Sequence, residues 1–210
     1  MLYHVLDAVL GSTTKVRLLR VILPLTHGVT GREAQRLARV KSDGGAREAL
    51  AELDALGILH RDYSPASNLY RINRDHELFA PLRLLFNAEA ARAATLREML
   101  REALAAAGQL SRTASVTLFG SAARGDTRPD SDADLFLIAA DDAAVEPVRD
   151  AVLDAEELIS RRTGLRISPL VLSLRRVRER YHDGDPLLQD IETQGRLLLG
   201  QPLQQLAGGP

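Results

Sequence analysis

The segment VTLFGSAARGDTRPDSDADLFLI, residues 116–138, joins two apolar runs through a polar loop. Gly120 and Ser121 follow the first run directly, where a strand would end and a helix would begin. At such a junction, unpaired backbone N–H groups and a hydroxyl meet the positive end of the helix dipole, an arrangement that binds phosphate. Gly120 has no side chain to obstruct close approach, and Arg124 adds positive charge. These three residues therefore form a predicted phosphate site.

The second apolar run begins with two carboxylates, Asp132 and Asp134, and ten residues separate Ser121 from the first of them. In an extended chain, residues two apart point to the same face, so both carboxylates would lie side by side. Hard oxygen ligands beside a triphosphate suit Mg²⁺, which takes few carboxylates together with phosphate oxygens and water. Two like charges this close repel each other without a cation. We therefore predict that both aspartates are metal ligands.

The composition is typical of a globular protein and excludes several kinds of site. Without cysteine the chain has no disulfide, no thiolate nucleophile and no Cys-ligated zinc, and its five histidines lack metal-ligand spacing. The N-terminus lacks the basic leader of an export signal, and no uncharged run reaches the length of a membrane span. We expect a cytoplasmic protein with no membrane partner.

The formal net charge of −1 hides a mild asymmetry. Residues 1–86 contain 12 Lys and Arg against 9 Asp and Glu, which leaves 15 against 19 for the rest of the chain. A surplus this small permits local contact with nucleic acid but does not predict it alone.

The first third of the chain predicts three helices and a β-hairpin. Ser12 caps the first helix, Thr30 and Glu33 form a capping box for the second, and Asp43 caps the third. Gly57 ends the third helix in the left-handed conformation, and the turn-rich YSPASN separates two short strands. This order of elements is that of a winged helix.

Residues 77–110 read as a helical connector, and strands alternate with helices from Ser115 onwards. The alternation predicts an α/β fold with a mixed or parallel sheet. The predicted strands comprise residues 116–119, 135–139 and 165–172, and the longest helix after the connector comprises residues 145–162. The run 196–199 is either a last strand or the end of a helix.

The order Gly-Ser, ten residues, Asp-x-Asp resembles the signature of the DNA polymerase beta-like nucleotidyltransferase superfamily, and GSAARG followed by SDADL is similar to its small stand-alone members. The resemblance implies an α+β nucleotidyltransferase fold, a mixed sheet with flanking helices. It implies that Gly120 and Ser121 hold the β- and γ-phosphates of an NTP. Asp132 and Asp134 would be catalytic and bind two Mg²⁺ (or Mn²⁺) ions. The implied reaction is in-line attack of an acceptor hydroxyl on the α-phosphorus, with release of pyrophosphate.

A second resemblance covers the two ends of the chain. YRINRDHELFAPLRLLF near the front, with SLRRVRERY and GDPLLQDIETQGRLLLG near the back, is similar to prokaryotic proteins that fuse a winged-helix DNA-binding domain to such a nucleotidyltransferase domain. It implies a winged helix-turn-helix domain at 1–76, a connector at 77–110 and the nucleotidyltransferase domain at 111–210. Because winged-helix proteins are often dimers, we expect a homodimer.

One position departs from the superfamily pattern. Active members usually carry a third carboxylate on a later strand, whereas the predicted strand 165–172 contains no acid. Ser168 stands where the carboxylate is expected, two residues after Arg166 on the same face. A hydroxyl is a poor metal ligand and a poor base. The domain therefore either transfers NMP from Mg-NTP or is a weak or inactive nucleotide sensor in a DNA-binding transcriptional regulator. An antitoxin-like partner of a toxin is a third alternative, drawn from the small relatives.

The predicted N-terminal domain offers few cationic side chains for contact with DNA. Glu52 and Asp54 on the third helix would repel phosphates, and base readout needs side chains such as Arg or Asn. A module for protein interaction is therefore the competing interpretation of the N-terminal domain. The predicted DNA-binding residues are Lys41, Arg47, Arg61 and Arg71.

The arginine-rich segment SLRRVRERYH, residues 173–182, also allows two interpretations. Arg175, Arg176 and Arg178 come just after a predicted strand, which places them to approach a bound nucleotide. A solvated helix face is the simpler interpretation of such a charge pattern.

Overall fold

The computed structural model of the chain describes residues 10, 12–63, 67–124 and 132–208. Between Ala90 and Ala91 the chain divides into an N-terminal unit and a C-terminal unit. None of the described helices combines the length and apolar character that crossing a bilayer requires.

The N-terminal unit carries the predicted three helices and hairpin, followed by a further helix. A three-stranded antiparallel sheet has the order β1-β3-β2. The sequence did not predict β1, because a two-residue strand leaves no alternation pattern. Residues 64–66 of the predicted YSPASN turn lie outside the described residues. The elements are α1 (Thr13–Ile22), β1 (Val29–Thr30), α2 (Gly31–Leu37), α3 (Asp43–Ala55), β2 (Leu59–Asp62), β3 (Leu69–Ile72) and α4 (Phe79–Ala90).

The starts of α2 and α3 follow local capping signals. The Thr30 hydroxyl accepts a hydrogen bond from the Glu33 N–H at 3.2 Å, as the capping box predicts. The prediction that Asp43 caps α3 is wrong. Ser42 is the cap and accepts from the Gly45 N–H at 3.1 Å. Asp43 is instead the first helical residue, where its charge suits the helix dipole.

Helix α4 is held to α1 in two ways. Phe86 of α4 is buried in the apolar core of the unit. Glu89, 7% exposed, accepts two hydrogen bonds from the Arg20 guanidinium of α1, at 2.8 Å from Nε and 3.1 Å from Nη2. A bidentate charge-assisted pair shielded from water is stronger than an exposed pair. Apolar burial and this ion pair therefore fix the same helix.

The C-terminal unit is an α/β arrangement with a mixed four-stranded sheet. Its order is β6-β5-β4-β7, with β5 and β6 parallel and the other neighbours antiparallel. The mixed sheet agrees with the predicted fold class. The run 196–199 is part of a strand. The elements are α5 (Arg92–Ala106), β4 (Thr113–Phe119), α6 (Gly120–Arg124), β5 (Ala133–Ala139), α7 (Val145–Asp154), α8 (Glu156–Thr163), β6 (Ile167–Ser173), α9 (Leu174–His182), α10 (Pro186–Gln194), β7 (Arg196–Gly200) and α11 (Leu203–Ala207), with 3₁₀ turns at Leu110–Arg112 and Asp142–Ala144.

The predicted helix 145–162 is two helices, α7 and α8, that meet at Ala155. The Ala155 N–H donates to the Val152 carbonyl at 3.2 Å, three residues back, which tightens the last turn of α7. No glycine or proline marks this point, so the sequence carries no breaker for it.

Helices cover both faces of the sheet. Leu135 and Leu137 of β5 pack on the side of α5, α7 and α8, whereas Phe136 and Ile138 pack on the side of α9, α10 and α11. Strand β5 is thus buried on both faces along most of its length, as a central strand of an α/β sheet is. Its carboxylates, Asp132 and Asp134, lie at its N-terminal end.

We predict that Glu89→Ala destabilises the N-terminal unit by about 3 kcal/mol, because it removes both hydrogen bonds from the Arg20 guanidinium and leaves a partly buried charge. Hydrogen exchange of the α1 and α3 amides in denaturant measures the free energy of unfolding of this unit. The matched control is Glu48→Ala, an exposed glutamate on α3. Equal losses in the two variants would contradict a structural role for the pair.

Candidate functional site

The candidate site is built by the pairing of β4 with β5. Phe119, the last residue of β4, is in register with Asp134, so the start of α6 lies beside the start of β5. Gly120 has a φ of +67°, in the left-handed region. A Cβ built at this glycine would collide with Oδ2 of Asp134. The left-handed backbone conformation therefore favours glycine, and a Cβ there would force the Asp134 carboxylate to rotate away.

The structure brings the other predicted phosphate-binding residues to the same end of the sheet. Ser121 is half-buried in the first turn of α6, and the exposed Arg124 ends that helix. The Arg124 guanidinium is close enough to Asp134 to lower the pKa of its carboxyl in part. The Gly120 backbone and the Arg124 guanidinium thus lie near the Asp134 carboxylate, and Ser121 lies in the helix turn between them.

Asp132 and Asp134 influence each other electrostatically. Burial raises the pKa of the Asp134 carboxyl, and the negative charge of Asp132 raises it further, against the smaller opposing effect of Arg124. The neighbouring positive charge therefore does not offset the burial of Asp134 and its repulsion by Asp132. Two hard carboxylates beside a phosphate-binding turn fit Mg²⁺, which completes its shell with phosphate oxygens and water. The donor chemistry and the electrostatics both suit a divalent cation.

Ser168 lies next to Asp134 on the neighbouring strand. The parallel pairing of β5 with β6 puts the two residues in register, and Ser168 is exposed. This is where the superfamily resemblance implies a third carboxylate. Among the residues that the structure describes, no group of three or more His, Cys, Asp or Glu side chains is placed to hold a metal. The described part of the site therefore offers two carboxylates.

Arg166 contacts one of these carboxylates. Its Nε lies 3.0 Å from Oδ1 of Asp132, and the two side chains are 63% and 45% exposed. An ion pair this exposed contributes little to stability. It nevertheless puts a positive charge on a predicted metal ligand. Sequence analysis placed Arg166 on the face of Ser168 but gave it no role, although a basic residue two positions before the missing acid was the available signal.

The arginine-rich segment lies at the other end of the strands. The pair Ala139 and Ser173 ends the β5–β6 ladder, five residues beyond Asp134, or about 17 Å at 3.3 Å per residue. Arg175 follows it and contacts Asp142 at 2.8 Å and Glu179 at 2.8 Å. The solvated helix face is therefore the better interpretation of this segment, and a nucleotide clamp is not supported.

The predicted DNA-binding residues of the N-terminal unit are mostly engaged with acids. Arg61 also stacks on Tyr63, with its guanidinium 4.3 Å from the ring centroid. Lys41 is exposed, and no ion pair to it is found among the described residues. The structure therefore does not gather the four cations into one free patch. The acid partners of Arg47, Arg61 and Arg71 are Asp43, Asp54 (3.5 Å) and Asp62 (3.2 Å), respectively.

Comparison with models of known protein families gives a match over the part of the chain that contains the candidate site. The family model described as Nucleotidyltransferase domain matches residues 98–190, which include Gly120, Ser121, Arg124, Asp132 and Asp134. This match supports the nucleotidyltransferase part of the prediction, whereas the residues of the predicted winged helix lie outside it. No curated protein matches the chain.

Two solved structures are similar to this chain, with low sequence identity and low TM-scores. A mutant of the MntA–HpeT toxin–antitoxin complex is 18% identical, with 55% of this chain and 81% of that chain covered and a TM-score of 0.36. A toxin–antitoxin structure with AMP-PNP is 19% identical, with 53% and 81% covered and a TM-score of 0.35.

We predict that Gly120→Ala destabilises the C-terminal unit more than Gly164→Ala. Both glycines are left-handed, with φ of +67° and +69°, so each alanine costs about 1 kcal/mol in backbone strain. A Cβ at Gly164 meets nothing within 4 Å, whereas one at Gly120 forces the Asp134 carboxylate out of its position, which adds about 0.5–1.5 kcal/mol. Denaturant unfolding followed by circular dichroism measures both. Equal free-energy losses would contradict the close approach of Asp134.

Proposed function

We propose that the C-terminal unit binds Mg-NTP and transfers its NMP to an acceptor hydroxyl. One observation carries the proposal: two mutually repelling carboxylates head a buried strand, with one of them against the left-handed backbone of Gly120. Burial and the charge of Asp132 disfavour the ionised form of Asp134, and a bound cation would relieve that penalty. The family match over residues 98–190 supports the same activity.

Each residue has a role in the proposed site. Gly120 lets its backbone approach the β- and γ-phosphates, Ser121 donates a hydrogen bond from its hydroxyl, and Arg124 contributes positive charge. Asp132 and Asp134 hold Mg²⁺ or Mn²⁺. When bound, the metal supplies charge neutralisation for the triphosphate and for the oxygens of the reacting phosphorus.

The proposed reaction exchanges the phosphoanhydride bond between the α- and β-phosphates for a phosphoester bond to the acceptor. The acceptor oxygen forms a bond to the α-phosphorus, the bond to the bridging oxygen breaks, and pyrophosphate leaves. The hydroxyl of Ser168 neither binds a cation well nor takes the proton of the acceptor. We therefore expect transfer to be slow, with the proton released to water.

We predict that Asp134→Asn lowers NMP transfer at least about 100-fold, because it removes one of two carboxylates that hold the cation. Radiolabelled NTPs are incubated with the full chain, Mg²⁺ or Mn²⁺, and a lysate as the source of acceptors. The control is Asp150→Asn, an exposed aspartate on α7 outside the site. Labelled product formed equally well by both variants would contradict the proposal.

We also predict that Arg166→Gln strengthens Mn²⁺ binding in the presence of an NTP about 3- to 10-fold, because it removes a positive charge from Asp132. Adding Ser168→Asp in the same chain strengthens it further. Electron paramagnetic resonance of free Mn²⁺ measures the affinity without requiring turnover. Arg175→Gln, at the other end of β6, leaves the affinity unchanged. Weaker Mn²⁺ binding by Arg166→Gln would show that the arginine assists the site instead.

The second candidate function is a DNA-binding transcriptional regulator that senses nucleotide with little or no transfer. Ser168 in register with Asp134 favours it, because the position of the third acid holds a hydroxyl. Binding of Mg-NTP without any labelled product would select this function over transfer.

DNA binding is proposed for the N-terminal unit as a winged helix at residues 1–76, followed by the connector 77–110 and the domain 111–210. The order of three helices and a hairpin in a three-stranded sheet supports it. The mild excess of Lys and Arg in residues 1–86 is compatible with such a contact. A homodimer and a cytoplasmic location belong to the same proposal.

A further inference from the structure

Two adjoining hollows open on the surface of the N-terminal unit. One, of about 530 Å³, lies between the starts of α2 and α3 and the start of β3. The other, of about 460 Å³, follows α2 and the turn after it. Because Arg32 and Gln35 line both hollows, they form one continuous concave surface, which we call the α2 face.

The α2 face has a surplus of positive charge. Arg32, Arg36, Arg39 and Lys41 line it and are exposed, and within the described part of the chain none of them has an ion pair. The exposed Glu33 is the acid on α2 itself, so this helix and its turn keep a net charge of about +3. Four cations of the same sign along one hollow repel one another unless an anion binds.

These cations differ from those on the hairpin and on α3. Arg47, Arg61 and Arg71 each contact an aspartate, which offsets much of their attraction for phosphate. Sequence analysis predicted contacts at those three residues and at Lys41. The structure leaves Lys41 among uncompensated cations.

Backbone hydrogen bonds fix the conformation of the chain at Arg39, just after the end of α2. Arg39 has a φ of +51°, a conformation that costs about 1 kcal/mol for a residue other than glycine. Its N–H donates to the Arg36 carbonyl at 3.2 Å. The Val40 N–H donates to the Gln35 carbonyl at 3.1 Å. The Gln35 side-chain amide donates in turn to the Val40 carbonyl at 3.2 Å. Arg39 therefore leaves the helix end in a defined direction.

The spacing of the cations indicates the ligand. Arg32 and Arg36 lie one turn apart on α2, about 6 Å at 1.5 Å per residue, and Arg39 follows the end of the helix. A row of charges on an open, shallow surface suits the repeating phosphates of a duplex better than one small anion, which needs an enclosed pocket.

We propose that the α2 face binds the phosphate backbone of double-stranded nucleic acid without reading its sequence. The acids Asp43, Glu48 and Glu52 on α3 disfavour deep insertion of that helix into a groove. Contacts to phosphates position a protein but carry no base information. The inference rests on the proposed duplex binding by the N-terminal unit and assigns that binding to a surface other than the hairpin.

The test is fluorescence anisotropy of a labelled duplex of random sequence, titrated with the full chain at several salt concentrations. We expect the variant Arg32→Gln/Arg36→Gln to bind about 10-fold more weakly, because two phosphate contacts are lost. For the same reason, the slope of log K against log salt concentration becomes less steep by about two. The matched control, Arg161→Gln/Arg162→Gln, removes two exposed arginines from α8 of the other unit and binds as the unmodified chain does. Thermal unfolding confirms that both variants fold.

Three results would overturn the inference. If Arg61→Gln/Arg71→Gln loses affinity and the α2-face variant does not, duplex binding stands and the hairpin is its surface. If the unmodified chain binds no duplex at low salt, both the inference and the proposed DNA binding fail. If it binds vesicles containing phosphatidylserine instead of the duplex, the α2 face is a lipid-binding surface.

Discussion

The candidate site depends on the close approach of the Asp134 carboxylate to the backbone of Gly120. The apolar core enforces this approach, because Leu135 and Phe136 must face opposite helical layers and a slip of one residue would reverse them. Burial of β5 therefore fixes the register that places Asp134 opposite Phe119 and beside Ser168. The carboxylates are tolerated at the head of the strand because the apolar residues that follow them hold it in position.

The fold was predictable where hydrophobic residues form a clear strand or helix pattern, or where a capping residue marks the start of a helix. The apolar run from Leu135 to Ala139 and the capping signal at Thr30 each have a local cause that is visible in the sequence. The break at Ala155 and the two-residue strand β1 arise from hydrogen bonds between backbone groups, and no side chain marks them. Ser42 and Asp43 are both good caps, and only the backbone geometry distinguishes them.

The spacing of the candidate site residues along the sequence predicted the site, whereas the ion pairs of these residues could not be predicted. Gly120 and Asp134 are close because β4 pairs with β5 and Gly120 directly follows Phe119, the partner of Asp134. The contact between Arg166 and Asp132 depends on the pairing of β6 with β5, which the sequence does not encode locally. The same holds for Arg61 with Asp54. The stripe of arginines on α2 is visible in the sequence, but its lack of acid partners is a property of the folded unit.

The two ends of the C-terminal sheet respond differently to acid, because Asp142 at one end is in an ion pair and Asp134 at the other end is partly buried beside Asp132. A hydrogen bond from Ser173 and the Arg175 guanidinium lower the pKa of the Asp142 carboxyl, whereas burial and Asp132 raise that of Asp134. As pH falls, Asp134 takes up its proton first, which relieves repulsion in the folded state. Asp142 stays ionised and keeps stabilising the fold until the pH reaches its own lowered pKa. Acidification would therefore protonate Asp134 at the candidate site while Asp142, at the opposite end of the sheet, is still ionised.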